Sequence, residues 1–194
     1  MPGTELQEAA ALAELAAAIY LKPPAEELLA GLRDFFMEAE ELSSEAPDLL
    51  LQEYHELFFN PASQRFLCPF ESFAREGRYR GKCSVDVGTF YQQAGFDPAT
   101  LLSDVHWKNQ RMPDHIGFEL AFFSALLRSA EAQPEEADAL LESARAFHAA
   151  HIRSWAGDFG TRLGHTAGTS LYRLLGALTR EIAEFSPDGI VRRG

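Results

Sequence analysis

The chain has 194 residues, 46% of them apolar, and a formal net charge of −12. That length suits one domain with a substantial core, and the apolar share argues against wholesale disorder. The acid excess argues against general nucleic-acid binding, which needs clustered Lys and Arg against phosphate.

Ala (29) and Leu (25) dominate, while Val (4) and Ile (5) are scarce. Unbranched side chains keep their rotamer freedom in helices, and sheets favour β-branched ones, so the composition predicts an all-α protein. The charge is uneven: residues 1–60 hold 13 acidic and 2 basic side chains, and residues 61–194 hold 16 and 15. An acidic amino-terminal third attracts a basic partner at long range, and it also serves plain solubility. The first twenty residues do not read as a signal peptide, because Glu5, Glu8 and Glu14 interrupt them and no basic stretch precedes them. No run approaches the roughly 18 apolar residues of a membrane span. Cys68 and Cys83 are too few for a disulfide framework and are not spaced as a zinc site, which fits a reducing cytoplasm.

Apolar spacing of three and four residues predicts the helices in chain order. The first runs from about Glu5 to Tyr20, with Thr4 and Gln7 as a capping box. Pro23 and Pro24 close it and open a second helix carrying Leu28, Leu32, Phe35, Ala39 and Leu42. A third follows Pro47 through LLLQEYHELFF. Residues 60–83 break the pattern with Pro61, Pro69, Gly77 and Gly81, and they hold the basic cluster Arg65, Arg75, Arg78, Arg80 and Lys82. A loop of that length inside a helical domain points to function. Helix resumes near Val85 and runs to Ala94, and Asp97 and Pro98 introduce one further turn. A second irregular stretch, about 103–113, leads to Asp114 as N-cap of a helix apolar on nearly every side, which is therefore central. Pro134 starts another helix that ends near Trp155, and a last one follows Gly164 and stops at residues 186–189.

Catalytic signatures are missing: no Walker-type loop, no Gly-x-Ser-x-Gly elbow and no His-Glu-x-x-His. His148, His151 and Glu142 fall on one helix, whereas a metal site in a bundle draws ligands from facing helices, so structural histidines are expected rather than a metal-dependent hydrolase. Three local patterns remain: YHELFFNP (residues 54–61), CPFES (68–72) and PDH (113–115). Each alone reads as a core stripe, a turn and a helix start.

Their order and separation resemble the TorD/DmsD family of molybdoenzyme-specific chaperones. There a Tyr-x-x-Leu-Phe helix end precedes a Pro-aromatic-Glu-Ser loop. A helix of the FYQQAGF kind (residues 90–96) follows, and then Pro-Asp-His opens a central helix. His151, Ile152, Trp155, Phe159 and Tyr172 extend the likeness into the tail, so that it covers roughly residues 50–180. Cys68 stands where many relatives carry a second proline, and Phe70 where tryptophan or tyrosine is usual. The resemblance implies one all-α, TorD-like bundle of about 8–11 helices spanning residues 1–194. It implies a non-enzymatic cytoplasmic protein, monomer or homodimer, that needs no cofactor and inserts in no membrane. Its partner would be the apo catalytic subunit of a molybdopterin oxidoreductase, held by its twin-arginine leader until the molybdenum cofactor is inserted. The alternatives are a nitrate-reductase-type assembly chaperone for a non-exported subunit, and a plain helical interaction module. A leader combines a basic pair with an apolar segment, so it needs an apolar groove with carboxylates at one end. Tyr54, Leu57, Phe58, Pro69, Phe70, Glu71, Ser72, Asp114, His115 and Glu119 are the residues assigned to that site, with Glu53 and Glu56 as further acids on its rim.

Overall fold

The structure is a computed structural model that describes residues 2–26, 29–30, 32 and 45–186. Among these residues it holds nine α-helices, one 3-10 turn, one π-turn and a single isolated β-bridge, so the all-α expectation holds. No helix among them is long and apolar enough to cross a membrane.

Helix α1 (Pro2–Leu21) begins ahead of Thr4, which therefore lies inside the first turn and not at the cap. Of the expected second helix, Leu29 and Leu32 are buried, while Leu28, Phe35, Ala39 and Leu42 lie outside the described residues. Helix α2 (Pro47–Phe58) carries Pro47 at its start and Asp48 in its first turn, where proline costs no hydrogen bond and an acid meets the positive helix end. The two stretches read as irregular each contain a short helix, α3 (Glu71–Glu76) and α5 (Val105–Gln110). Between them α4 spans Lys82–Ala94 and stops at Gly95, whose φ of 66° is left-handed and suits glycine.

Helix α6 (Ile116–Ala132) is central, packed against α1, against α7 (Ala137–Phe147) and against the π-turn His148–Ile152. Buried Ala10, Ala13, Ala16 and Ala17 give α1 a flat face that lets α6 approach closely. The contact is tight enough that Ser124 Oγ donates to the Ala10 carbonyl at 2.8 Å, and a Cβ on Gly117 would meet Leu21 at 2.7 Å. Phe122 packs on rings of Tyr91, Phe96 and Phe147 with centroids 4.9, 5.1 and 4.7 Å away, two of them edge-on.

The carboxy-terminal half departs from expectation twice. The helix expected to reach Trp155 ends at Phe147 and widens into the π-turn, where Arg153 N donates to the His148 carbonyl at 2.8 Å. The last helix expected after Gly164 is α9 (Ser170–Glu184), and ahead of it stands a helix that was not expected, α8 (Ala156–Thr166), with Gly164 inside it. Glycine reads as a helix breaker locally, but here the pair packs backbone to backbone. A Cβ on Gly160 or on Gly176 would sit 2.6 Å from the other's carbonyl oxygen.

Urea unfolding should separate these contacts. Phe122→Ala should cost about 3–5 kcal/mol through the cavity it leaves. Gly176→Ala should destabilise by clash, whereas Gly164→Ala, which meets nothing within 4 Å, should gain up to about 1 kcal/mol of helix propensity.

Candidate functional site

The loop before α3 and the entry to α6 meet in an antiparallel contact two residues long. Glu71 N donates to the Asp114 carbonyl at 2.9 Å, Ile116 N donates to the Pro69 carbonyl at 2.9 Å, and one β-bridge pairs Phe70 with His115. The Asp114 side chain then turns away from its own helix. Its Oδ2 accepts from Ser72 N at 2.9 Å, so it caps α3, whose own N-cap Phe70 has no side chain able to do so. The expected role of Asp114 as cap of the central helix is thereby corrected. His115 holds that position, with Nδ1 accepting from Gly117 N at 3.1 Å.

Behind this contact lie three buried carboxyl groups. Glu71, Asp114 and Glu119 are 0%, 0% and 1% exposed. Glu71 pairs with Arg75, and its Oε2 lies within hydrogen-bond distance of His151 Nδ1 at 2.9 Å. Glu119 Oε2 accepts from Trp155 Nε1 at 3.2 Å. Burial, and then the charges of Glu71 and Asp114, hold the Glu119 carboxyl protonated well above the usual range. Burial also pushes His115 down to about 3, so the imidazole is neutral. The π-turn supplies two further buried histidines: His151 to Glu71, and His148 Nε2 to the Ile182 carbonyl at 2.8 Å. Among the described residues no group of three or more His, Cys, Asp or Glu is placed to hold a metal ion.

The family model for the nitrate reductase delta subunit matches residues 7–161. The chain belongs to that family. The ordered motifs had pointed to TorD/DmsD-type redox enzyme maturation chaperones, and those fall within it. A solved structure described as a redox enzyme maturation protein from Archaeoglobus fulgidus has the same fold. It is 21% identical, with a TM-score of 0.57 over 91% of this chain and 94% of that one. No curated protein matches.

The residues assigned to the site in this delta subunit family member are brought together, but in the interior. Tyr54, Leu57, Phe58, Pro69, Phe70, Glu71, Ser72, Asp114, His115 and Glu119 are all buried. Tyr54 donates its hydroxyl to the Tyr20 carbonyl at 2.7 Å and receives Trp107 Nε1 at 3.0 Å. The Leu57 carbonyl anchors the loop by accepting from Leu67 N at 2.7 Å, and Phe58 packs edge-on against Tyr20 and Tyr54. The two acids placed on the rim are used internally as well. Arg65 binds both Glu53 and Glu56, and Glu53 also accepts from Gly168 N and Thr169 N ahead of α9.

What the loop shows to solvent is different. Phe73 and Tyr79 are 40% and 49% exposed and stack with centroids 5.2 Å apart, Tyr79 resting edge-on against buried Phe70. Neither was singled out in the sequence, although two aromatics inside the basic segment were the available signal. Beside them a depression of about 850 Å³ is lined by Arg75, Lys82, Asp86, Phe90 and His151 among others. Cys83 also borders it, but burial and a contact with Glu76 push that thiol up to about 12, and burial raises Cys68 too. Both remain protonated at neutral pH, which is not the state of a redox or metal-binding thiolate.

The buried groups predict opposite pH slopes. The unfolded chain releases the Glu119 proton near 4.5 while the folded state retains it, so stability is full below that value and falls as pH rises. Glu119→Gln, which keeps an acceptor for Trp155, should abolish that fall and leave the variant more stable than wild type at pH 8. His115 works the other way: its contribution is present above 6.5 and is lost as pH drops towards 3, at no more than about 1.4 kcal/mol per unit. His115→Asn should flatten that acid limb in thermal unfolding measured from pH 3 to 8.

Proposed function

We propose that this chain is a cytoplasmic maturation chaperone. It holds the apo catalytic subunit of a molybdopterin oxidoreductase, through that subunit's twin-arginine leader, until the molybdenum cofactor is in place. It works by binding and catalyses nothing. The observation that carries the reading is the delta subunit family match across residues 7–161. The acidic amino-terminal third supports it, because a basic leader is drawn to that charge.

In this reading residues 1–194 act as one domain, and the ten buried residues serve the client indirectly. Pro69 to Ser72 and Asp114 to Glu119 fix the loop, and the loop presents Phe73 and Tyr79 to the folded part of the client. Exposed stacked aromatics beside charged rims are typical anchors of protein interfaces. The family description names nitrate reductase, which favours a second reading: a client subunit that is not exported, bound by an amino-terminal segment lacking the arginine pair.

Calorimetric titration distinguishes these readings. A twin-arginine leader peptide should bind wild type, and replacing its arginine pair by alanine should abolish most of the affinity. Equal binding of both peptides selects the non-exported client, and failure of several leaders and of the apo catalytic subunits removes the chaperone reading. Phe73→Ser with Tyr79→Ser should weaken capture of the apo catalytic subunit on the order of tenfold while helical circular dichroism is unchanged.

A further inference from the structure

The loop that carries the family motifs is a poor seat for a leader's arginines. Residues 60–83 bring five cations, Arg65, Arg75, Arg78, Arg80 and Lys82, against only Glu71 and Glu76. Arg65 pairs with Glu53 and Glu56, Arg75 with Glu71 and Arg78 with Glu76, so the loop's own cations already occupy the carboxylates beside them. A basic peptide brought there meets like charge, which costs specificity and association rate.

The opposite chemistry exists on another face. Helices α1 and α9 pack against each other, and at one end of their seam they leave a depression of about 420 Å³. Leu12, Ile182 and Phe185 give it an apolar lining. Around that lining stand four exposed carboxylates, Glu5 and Glu8 from α1 and Glu181 and Glu184 from α9. Each pair is spaced i, i+3, so both acids of a helix share the face that borders the groove. Among the described residues the cations beside them are Arg180, 3.8 Å from Glu184, and Arg153, whose Nη2 donates to the Phe185 carbonyl at 3.2 Å. Four like charges at one rim repel each other, and a cation brought to the site relieves that repulsion. Arginine guanidinium forks match carboxylates geometrically, and an adjoining apolar segment would cover the groove floor.

We propose that this α1–α9 groove is where the leader docks, its arginine pair between the Glu5/Glu8 and Glu181/Glu184 carboxylates and its apolar segment along Leu12, Ile182 and Phe185. The inference rests on the chaperone reading and adds the surface that performs the binding. It assigns the two ends of the client to two faces: the leader to the acidic groove, the folded part to the aromatic and basic loop.

The test uses the full chain and a twin-arginine leader peptide, titrated at two salt concentrations. A quadruple variant, Glu5→Gln, Glu8→Gln, Glu181→Gln and Glu184→Gln, should bind about tenfold or more weakly at low salt, with a flatter salt dependence. A control removing the same charge from the region of α7, Glu135→Gln, Glu136→Gln, Asp138→Asn and Glu142→Gln, should bind within about twofold of wild type. The four replaced acids of the groove are on the surface, so thermal midpoint and circular dichroism should match wild type. Reversal completes the argument: Glu→Lys at the same four groove positions should bind a leader whose arginines are glutamates better than wild type does. Undiminished binding by the quadruple variant, or an equal loss in the control, overturns the groove while leaving the chaperone reading intact. Failure of wild type to bind any leader removes the chaperone reading, and this inference with it. Self-association of wild type that the quadruple variant loses would make the occupant a second copy of this chain and also overturn the proposal.

Discussion

A carboxylate with no exposure, Asp114, holds two helices in register. Its carbonyl and its Oδ2 take the N–H groups of Glu71 and Ser72, so one residue at the mouth of α6 closes the start of α3. Removing the Oδ2 acceptor would leave the buried Ser72 N–H without its partner, at about 1–3 kcal/mol. The same device recurs. Glu76 accepts from Cys83 N at 2.9 Å in the first turn of α4, and Glu53 accepts from Gly168 N and Thr169 N ahead of α9. Helices here are capped across the chain more than by their own first residues. The fold therefore depends on acids that a composition count assigns to the surface.

That dependence explains what the sequence disclosed and what it hid. The scarcity of Val and Ile, the proline starts and the largely apolar stretch 116–127 were enough to place α1, α2, α4 and central α6. Short α3 and α5 were hidden because six residues carry too little period to read, and their caps lie in part beyond them. The π-turn leaves no local mark, since His148 and His151 are compatible with an ordinary helix and their hydrogen-bond partners Ile182 and Glu71 lie far along the chain. Gly164 misled for the complementary reason. Its glycine neighbours Gly160 and Gly176 serve a helix crossing, a demand of packing that overrides propensity.

The candidate site was legible as an address but not as a surface. The motifs correctly brought Pro69 to Ser72 beside Asp114 and His115, though the two are more than forty residues apart. Ordered motifs, however, report what a fold must keep in contact, and such contacts are buried. Phe73 and Tyr79 lie outside the patterns and are half-exposed, and Glu5 and Glu8 read only as interruptions in an apolar helix. Which side chains face a partner is settled by the relative rotation of whole helices, and a single sequence does not carry that.

The remote capping of α3 also has a meaning in time. Six residues cannot hold a helix alone in water, because one or two hydrogen bonds do not offset nucleation. On a ribosome the chain emerges from its amino terminus, so Glu71 and Ser72 are exposed well before Asp114, 42 positions beyond Ser72, is made. Until then the basic loop is an open strand of aromatic and cationic residues. The loop that the family motifs mark is thus among the last parts of the amino-terminal half to acquire its shape, and it does so only as the central helix begins.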